Sequence, residues 1–574
     1  MTDEFPGGSD RPLRFGVMCN ELELAAWQLH CIEKLLGVEG VEPALMIVRE
    51  TTAEDQASGR PQPRRADKLL WRAYRRHVLD RSSKAAALHP LPPGFADVAV
   101  IRCEAEKVGS HAERISDPDL ERIRAHDLDF ILRFGFGILK GGILDVARYG
   151  VWSFHHGDPG KYRGMPPGFW EICDGDPVTG AVLQRLTERL DAGIILDAGF
   201  FKTDRASYVR SRDHLFFGGA DWPARVCKDI RAGNTTALDS APLPTDAPIT
   251  REPSNEQMLH FLAQQARGWL SNQYRSLFRS QQWTVGIIDA PVQEVAGIVG
   301  QARLGPVRWL AEPPGRFLAD PFAVERSGGA PGDALIMAED YDWAAGRGRI
   351  SSVEVTGEQA SAPRLTLDLP VHLSYPYLFR HAGRLFCVPE SNEARQVCLY
   401  ALDERTLEWT EQCVLIAGRR LLDPTLFEHE GRWWLFASDE QNGPNDKLHA
   451  WHAPDLTGPW QEHSANPLKT DVRSSRPGGK PFVHAGHLYR PAQDCSETYG
   501  GAVAINRILR LTPHEFEEET VGVLRPGSHW PHRDGFHTLC GVGQRTIIDA
   551  CQNRFIGQAF RKAMAKKLRL APRA

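Results

Sequence analysis

From Arg14 to Arg133 the apolar positions fall into short runs separated by stretches of helical period. The run Arg14–Asn20 (RFGVMCN) leads into a helical pattern through Leu36 and a second apolar run, Pro43–Val48. Strand, helix and strand at this spacing predict the opening of a parallel α/β sheet. Residues 51–92 are polar, basic and interrupted by proline, which reads as a long insertion with a helix from Asp67 to Asp80. The rhythm resumes with the run Val98–Arg102, a helix near Leu120–Ala125 and a strand Asp127–Arg133. From Arg205 to Ser280 the pattern is helical with proline-rich linkers at Ser240–Ile249 and Arg251–Pro253.

Beyond Gln282 a repeat replaces the helical period: a turn with Asp or Tyr before Pro, an apolar strand, a Gly turn and an aromatic strand. Its copies carry Ala319-Asp320-Pro321-Phe322, Ser374-Tyr375-Pro376-Tyr377 and Leu422-Asp423-Pro424-Thr425, a looser Arg476-Pro477 and a last Gly535-Phe536-His537-Thr538. The Gly turns read HAGRLFCVPES, HEGRWWLFASDE and HAGHLYRPAQD. Copies roughly 50 residues apart, each worth a small antiparallel sheet, predict a five-bladed β-propeller. The segment Arg554–Ala574 is basic and helical. The expected organisation is an α/β domain at 12–205, a helical connector at 206–280, the propeller at 281–553 and a basic tail at 554–574.

Length agrees with this division, because 574 residues exceed one hydrophobic core and suggest roughly two to four domains. The net charge of -5 gives no electrostatic reason to expect nucleic acid. Met1–Pro12 lacks the basic and apolar regions of a secretory signal, and no apolar run reaches the ~18 residues of a membrane span. The 11 cysteines are scattered without a C-x-x-C pair, which argues against a disulfide framework or thiolate metal site and for a reducing cytoplasm. No metal is expected.

Candidate chemistry concentrates in Gly150–Gly164 (GVWSFHHGDPGKYRG) and the later Leu190-Asp191-Ala192-Gly193. Together with ILRFGFGILKGGILD these stretches resemble the formyltransferases that act on methionyl-tRNA, glycinamide ribotide and amino sugars, over about residues 12–205. The resemblance implies a Rossmann-like α/β fold and N10-formyltetrahydrofolate as co-substrate. Its Asn-x-His pattern falls on Ser153 and His155, and its loop Asp on Asp191. A histidine tuned by a carboxylate can shuttle a proton near neutral pH and stabilise an oxyanion. Ser153 replaces the family's Asn; its hydroxyl donates one hydrogen bond and reaches less far than an amide. The resemblance places the folate beside Phe134, Gly135, Phe136, Gly137, Ile138 and Leu139, with Leu186–Asp191, Leu190 included, on the other side. Glycines there would let backbone N–H and C=O groups approach a flat pterin. Tyr162-Arg163-Gly164 either fixes a loop or lets Arg163 hold the active-site loop, and Asp158 reads as a turn-former.

The repeats resemble the propellers of arabinanase- and xylosidase-type glycoside hydrolases and, more closely, the N-terminal propeller of plant glucosamine inositolphosphorylceramide transferases. The residues that match are ADPF, SYPY, PES, RPAQD and GFHT. Innermost strands line one funnel, so Asp320, Glu390, Asp423 and Asp494 are expected to ring a pocket with Arg490, Tyr499 and His537. Such a ring suits glycoside hydrolysis or sugar recognition, although Asp-Pro also caps turns and Tyr375 stands where a second-blade carboxylate would. The basic tail fits a helix closing the propeller, or one that meets a membrane surface or a partner.

The expected function is N-formylation of an amine, that of an amino sugar in polysaccharide or glycoconjugate synthesis. The alternatives are a formyltetrahydrofolate hydrolase, or a carbohydrate-binding or hydrolysing propeller with a degenerate formyltransferase domain.

Overall fold

The computed structural model describes residues 11–50, 66–109, 112–189, 193–242, 246–302, 304–330, 332–406 and 408–570. The chain divides into two compact units, Met1–Trp269 and Leu270–Ala574.

Continuous apolar runs make strands that can be covered on both faces, and the first unit is built that way. Its elements run β1 (Leu13–Cys19), α1 (Ala26–Leu36), β2 (Val41–Arg49), β3 (Ala99–Cys103), α2 (Asp117–Arg124), β4 (Phe130–Arg133) and β5 (Val151–His155). There follow α3 (Phe169–Asp174), β6 (Val178–Arg185), β7 (Ile194–Lys202), α4 (Tyr208–Gly218), α5 (Trp222–Arg231) and α6 (Asn255–Phe278). One sheet orders the strands β7-β6-β5-β4-β1-β2-β3. It is parallel from β5 to β3, with the antiparallel β6 and β7 at one edge.

Aromatic rings tie neighbouring strands on one face: Phe15 stacks on Phe130 at 5.6 Å, and Phe130 on Trp152 at 3.9 Å. Trp27, Cys31 and Leu35 of α1 join that layer, while Leu120 and Ile123 of α2 pack with Met18, Ile47 and Ile131 on the other. Ser116 caps α2, its hydroxyl accepting from the Asp119 amide at 3.3 Å; this satisfies one of the donors that a helix start leaves open.

Two expectations for this unit change. The helix expected over Asp67–Asp80 is a series of turns, α-helical at Leu69–Tyr74 and wider at Arg75–Leu79. Trp71 anchors it by packing edge-on to Phe169 at 5.7 Å. The stretch 206–280 does not stand apart as a connector: α4 packs on β6 and β7, α5 on α1, and the unit boundary falls within α6. Its aromatic residues supply sheet-covering faces that the intervening prolines obscure in the sequence.

Among its described residues the second unit forms five antiparallel sheets. One joins both ends of the unit, pairing β8 (Ser280–Ile288) with β14 (Arg545–Arg554) from Ser280↔Arg554 to Ile288↔Thr546. The others begin with β9 (Arg316–Glu325), β10 (Ser374–His381) and β11 (Leu421–His429), and with a short strand ahead of β12 (His487–Asp494), which leads out to β13 (Phe516–Leu524). Strands β9 and β10 pack together, as do β10 and β11.

The Gly turns are two-residue hairpins. Ala382-Gly383, Glu430-Gly431 and Ala485-Gly486 all have φ between 47° and 79°, as a type I′ turn requires of both central residues. The Asp/Tyr-Pro pairs, expected as turns, instead lie inside strands. Asp320, Tyr375 and Asp423 have φ of 50°, 44° and 52°, each at a break in strand register. A bulge re-aims its side chain, at a backbone cost of order 1–3 kcal/mol.

Helix α7 (Gly557–Leu570) follows β14. Among the described residues no helix is long and apolar enough to cross a membrane. None of the eleven cysteines forms a disulfide.

Candidate functional site

Side chains two apart on a strand share a face, so Ser153 and His155 point the same way from the end of β5. Neighbouring β4 ends at Arg133, paired in register with Ser153. The Arg133 guanidinium donates to Ser153 Oγ at 2.9 Å and, from its other nitrogen, to the carbonyls of Phe136 (3.0 Å) and Gly137 (2.6 Å). Burial lowers the pKa of Arg133, with Glu113 opposing. Since Arg133 only donates, Ser153 Oγ receives that bond and keeps its own hydrogen to donate elsewhere; its contact with the Phe154 carbonyl is long, 3.5 Å. A donor pointed into an oxygen polarises its O–H.

His155 Nε2 lies 3.2 Å from the Tyr162 carbonyl. A carbonyl only accepts, so Nε2 carries the hydrogen and neutral His155 presents its lone pair at Nδ1. Tyr162 is held in turn by its own loop. Its amide and that of Lys161 bond the Asp158 carbonyl, and Asp158 Oδ1 accepts from Gly160 N at 2.8 Å. Arg163-Gly164 pairs with Ile249-Thr250. Gly164 has φ 103°, and a Cβ there would collide with the Thr250 carbonyl oxygen, so only glycine fits. The YRG run thus fixes the loop whose carbonyl orients His155. His156 has no such place: it stacks on Phe216 at 3.9 Å, and burial pushes its pKa down to about 3, which keeps it a neutral core ring.

The glycine-rich strand end is arranged differently from expectation. The amides of Phe134 and Gly135 donate to the Met18 carbonyl, that of Phe136 to Asn20 Oδ1 (2.8 Å) and that of Gly137 to Glu113 Oε2 (2.5 Å). These four N–H groups are therefore spent inside the protein and do not meet a pterin edge. Gly135 is glycine because a Cβ would lie 2.5 Å from Asn20 N. Ile138-Leu139 pairs with Ala112-Glu113 in a small separate sheet. Leu190 and Asp191 lie outside the described residues. The reacting end of the site thus offers a formyl donor one buried hydroxyl, held by Arg133 and weakly bonded to the Phe154 carbonyl, and one oriented imidazole, whereas the amides of the strand end take no part in holding it.

Glu171 of α3 is buried in the same unit. Burial, with Asp176, Asp174 and Asp158 adding repulsion, pushes its pKa from 4.5 up to about 7, its own backbone amide opposing. A carboxyl raised in this way adds stability that is complete below the unfolded value and lost as pH rises through the folded one. Glu171→Gln should therefore stabilise this unit by up to ~3 kcal/mol at about pH 8 and by little at about pH 4. Urea unfolding at the two pH values checks this.

In the second unit the bulges bring Asp320, Tyr375 and Asp423 together. Asp320 Oδ1 accepts from Thr538 Oγ1 (3.1 Å) and faces His537 Nε2 (3.4 Å); Oδ2 accepts from the Tyr375 amide (3.3 Å). His537 Nδ1 lies 2.7 Å from Asp549, and Trp283 stacks on the imidazole at 3.9 Å. Burial pushes Asp320 up to about 6 against the pull of His537. Burial lowers His537, but Asp549 and Asp320 outweigh it and raise its pKa overall.

Asp423 Oδ2 takes two donors, Arg476 Nε at 2.5 Å and Gln493 Nε2 at 2.8 Å, while its amide donates to Glu390 Oε2 at 2.9 Å. Arg476 also lies over the Tyr499 ring at 5.0 Å. Burial and Asp423 raise Glu390 well above the usual carboxylate range, Arg476 opposing. Asp320, His537 and Asp549 bring one ligand atom each within 4.8 Å of one another, an oxygen and nitrogen set that could hold a divalent cation, where the sequence led to none being expected.

Two expected funnel residues are elsewhere. Arg490 is fully buried against Glu518 of β13, with N···O distances of 2.6 and 3.0 Å, and donates to the Ser474 and Ser475 carbonyls. Asp494 accepts from the Ser496 hydroxyl at 2.6 Å and amide at 3.0 Å and lies 3.8 Å from Arg525. Sequence reasoning missed Asp549 and gave neither Gln493 nor Arg476 a role, although Gln493 follows His484 at the spacing by which Glu390 follows His381. For Arg476 a signal existed: it precedes Pro477 as Asp320 precedes Pro321 and Asp423 precedes Pro424.

The family model for the N-terminal region of glucosamine inositolphosphorylceramide transferase 1 matches residues 310–529. A glucosamine inositolphosphorylceramide transferase 1 of Oryza sativa subsp. japonica is 37% identical over 218 residues, 37% of this chain and 28% of the relative. The chain therefore spans less than a third of that plant relative's length. A methionyl-tRNA formyltransferase of Lachnospira eligens is 31% identical over 121 residues, 21% of this chain and 38% of that protein. Among solved structures, glycinamide ribonucleotide transformylase 1 of Symbiobacterium toebii is similar at 14% identity and a TM-score of 0.26, covering 39% of this chain and 90% of that one.

Proposed function

We propose that the first unit transfers a formyl group from N10-formyltetrahydrofolate to the amine of an amino sugar, in polysaccharide or glycoconjugate synthesis. The observation that carries this reading is the alignment of Arg133, Ser153 and His155 at adjoining strand ends. The Lachnospira eligens relative supports the formyl chemistry. The plant transferases, named for glucosamine, support a sugar as acceptor.

The donor supplies a formyl carbon on a nitrogen leaving group. The Ser153 O–H, polarised by Arg133, donates to the formyl oxygen as negative charge develops there. His155 Nδ1 accepts the proton that the attacking amine nitrogen sheds and returns it to the departing folate nitrogen, so the proton count closes. The Tyr162 carbonyl keeps the imidazole in the tautomer this needs. By the family resemblance Asp191 would orient or charge-balance His155.

Ser153→Ala removes the oxyanion donor and is expected to lower kcat by about a hundredfold, with little change in the KM for the folate. Steady-state kinetics on a variant that retains the wild-type unfolding profile checks this; an unchanged kcat would remove Ser153 from the mechanism.

For the second unit we infer that the five sheets are blades of one five-bladed propeller and that its ring of buried polar groups binds the sugar portion of a substrate. The arrangement favours recognition over hydrolysis. Glycoside cleavage needs one carboxyl to donate a proton and another to act as base or nucleophile, whereas Asp423 is clamped by Arg476 and Gln493, and Asp320 is committed to His537 and Thr538. Eleven cysteines outside any disulfide support a reducing compartment such as the cytoplasm.

A further inference from the structure

Two short segments of the second unit, 270–279 and 553–570, contain no acidic residue in a chain whose net charge is -5. They contribute the end of α6 and the stretch leading into α7. Their basic side chains Arg275, Arg279, Arg561, Lys562, Lys566 and Lys567 are exposed. Among the described residues none of the six has a carboxylate within salt-bridge distance.

Apolar groups stand exposed among these charges: Leu270 is 59% exposed, Tyr274 51% and Phe555 58%. They are backed by rings that pack on each other, Phe278 on Phe560 at 5.5 Å and Phe555 on Phe560 at 5.7 Å. The Lys567 ammonium donates to Gln273 Oε1, which ties α7 to the end of α6. A soluble chain seldom leaves such a contiguous aromatic patch uncovered unless something binds it.

We propose that this face docks on an anionic lipid bilayer surface. Aromatic tips within a ring of uncompensated cations match the interface of a negatively charged membrane: the rings enter the headgroup boundary and the cations meet the lipid phosphates. A single-stranded nucleic acid fits less well, because these rings pack on one another instead of standing free as platforms for bases. Exposed Leu270 also suits acyl chains better than bases. The docking does not depend on the proposed formyl transfer, and it would hold the enzyme where a lipid-linked acceptor is presented.

The test is sedimentation of the full chain with vesicles of phosphatidylcholine alone and of phosphatidylcholine with phosphatidylglycerol. Binding is expected only to the anionic vesicles and should weaken as salt is raised above about 0.1 M. The variant Lys562→Gln/Lys566→Gln/Lys567→Gln should bind about a hundredfold more weakly, at about fivefold per lysine. Phe555→Ser should weaken binding about tenfold with the charge unchanged. These substitutions lie on the surface, and an unchanged thermal unfolding curve confirms that each variant is folded. Absence of binding to anionic vesicles overturns the proposal, as does equal binding by the triple variant. Binding to an acidic protein without vesicle binding also overturns it.

Discussion

Replacing His155 with alanine is expected to lower formyl transfer by about 10²- to 10⁴-fold, the range that a positioned general base contributes. The imidazole is half-buried, and its hydrogen bond to the Tyr162 carbonyl orients Nδ1 without serving the core. The loss should therefore appear in kcat, with unfolding by urea close to that of the parent chain. His156→Phe provides the contrast. That ring is neutral and stacked among Phe216, Phe154 and Trp27, so an aromatic replacement should preserve activity to within a few-fold. If His156→Phe were the inactive variant and His155→Ala the active one, the two histidines would have to exchange roles.

The largest effect on stability is expected from Arg490→Met. Arg490 and Glu518 have side chains 1% and 2% exposed, and Lys469 adds a contact to Glu518 at 2.9 Å. Removing Arg490 leaves buried Glu518 with only its Lys469 contact among the described residues, which costs up to about 3–5 kcal/mol, whereas replacing both Arg490 and Glu518 by apolar groups is closer to neutral. Arg490→Met should therefore lower the unfolding free energy of the second unit by that amount. Arg490→Met/Glu518→Leu should recover most of it, as read by urea unfolding.

Burial raises Glu518, but Arg490 and Lys469 outweigh it and hold the carboxyl below its ordinary pKa of 4.5. A depressed carboxyl gives stability that is present above the unfolded value and lost as pH falls through the folded one. The gap between wild type and Arg490→Met should accordingly be widest at neutral pH and narrow below about pH 4.

The parallel sheet was legible because strands covered on both faces leave unbroken apolar runs, as in LRFGVMC and FILR. The hairpins of the second unit were legible because Ala-Gly and Glu-Gly pairs recur at turns that need two positive φ values. The bulges were not. Asp before Pro is a turn signal, and nothing local to Asp320 or Asp423 shows that the residue sits within a strand with its carboxylate turned inward. Side-chain facing depends on register, which is why Arg490 read as a funnel residue although it points to Glu518. Asp549 contacts the ring from a position that does not repeat, and Gln493 takes the repeat position of Glu390 with an amide in place of a carboxylate. At the first site the motif located Ser153 and His155, but the role of Arg133 depends on pairing between β4 and β5, strands 20 residues apart along the chain.

Whether the first unit formylates an amine is read from its dependence on an acceptor. Purified full-length chain is incubated with N10-formyltetrahydrofolate, with and without a nucleotide-linked amino sugar, while tetrahydrofolate release and the mass of the sugar are followed. Release is expected only with the acceptor, matched by formylation of its amine and abolished by His155→Ala. Release without acceptor, yielding formate at the same rate, would contradict formyl transfer to an amine and identify a hydrolase.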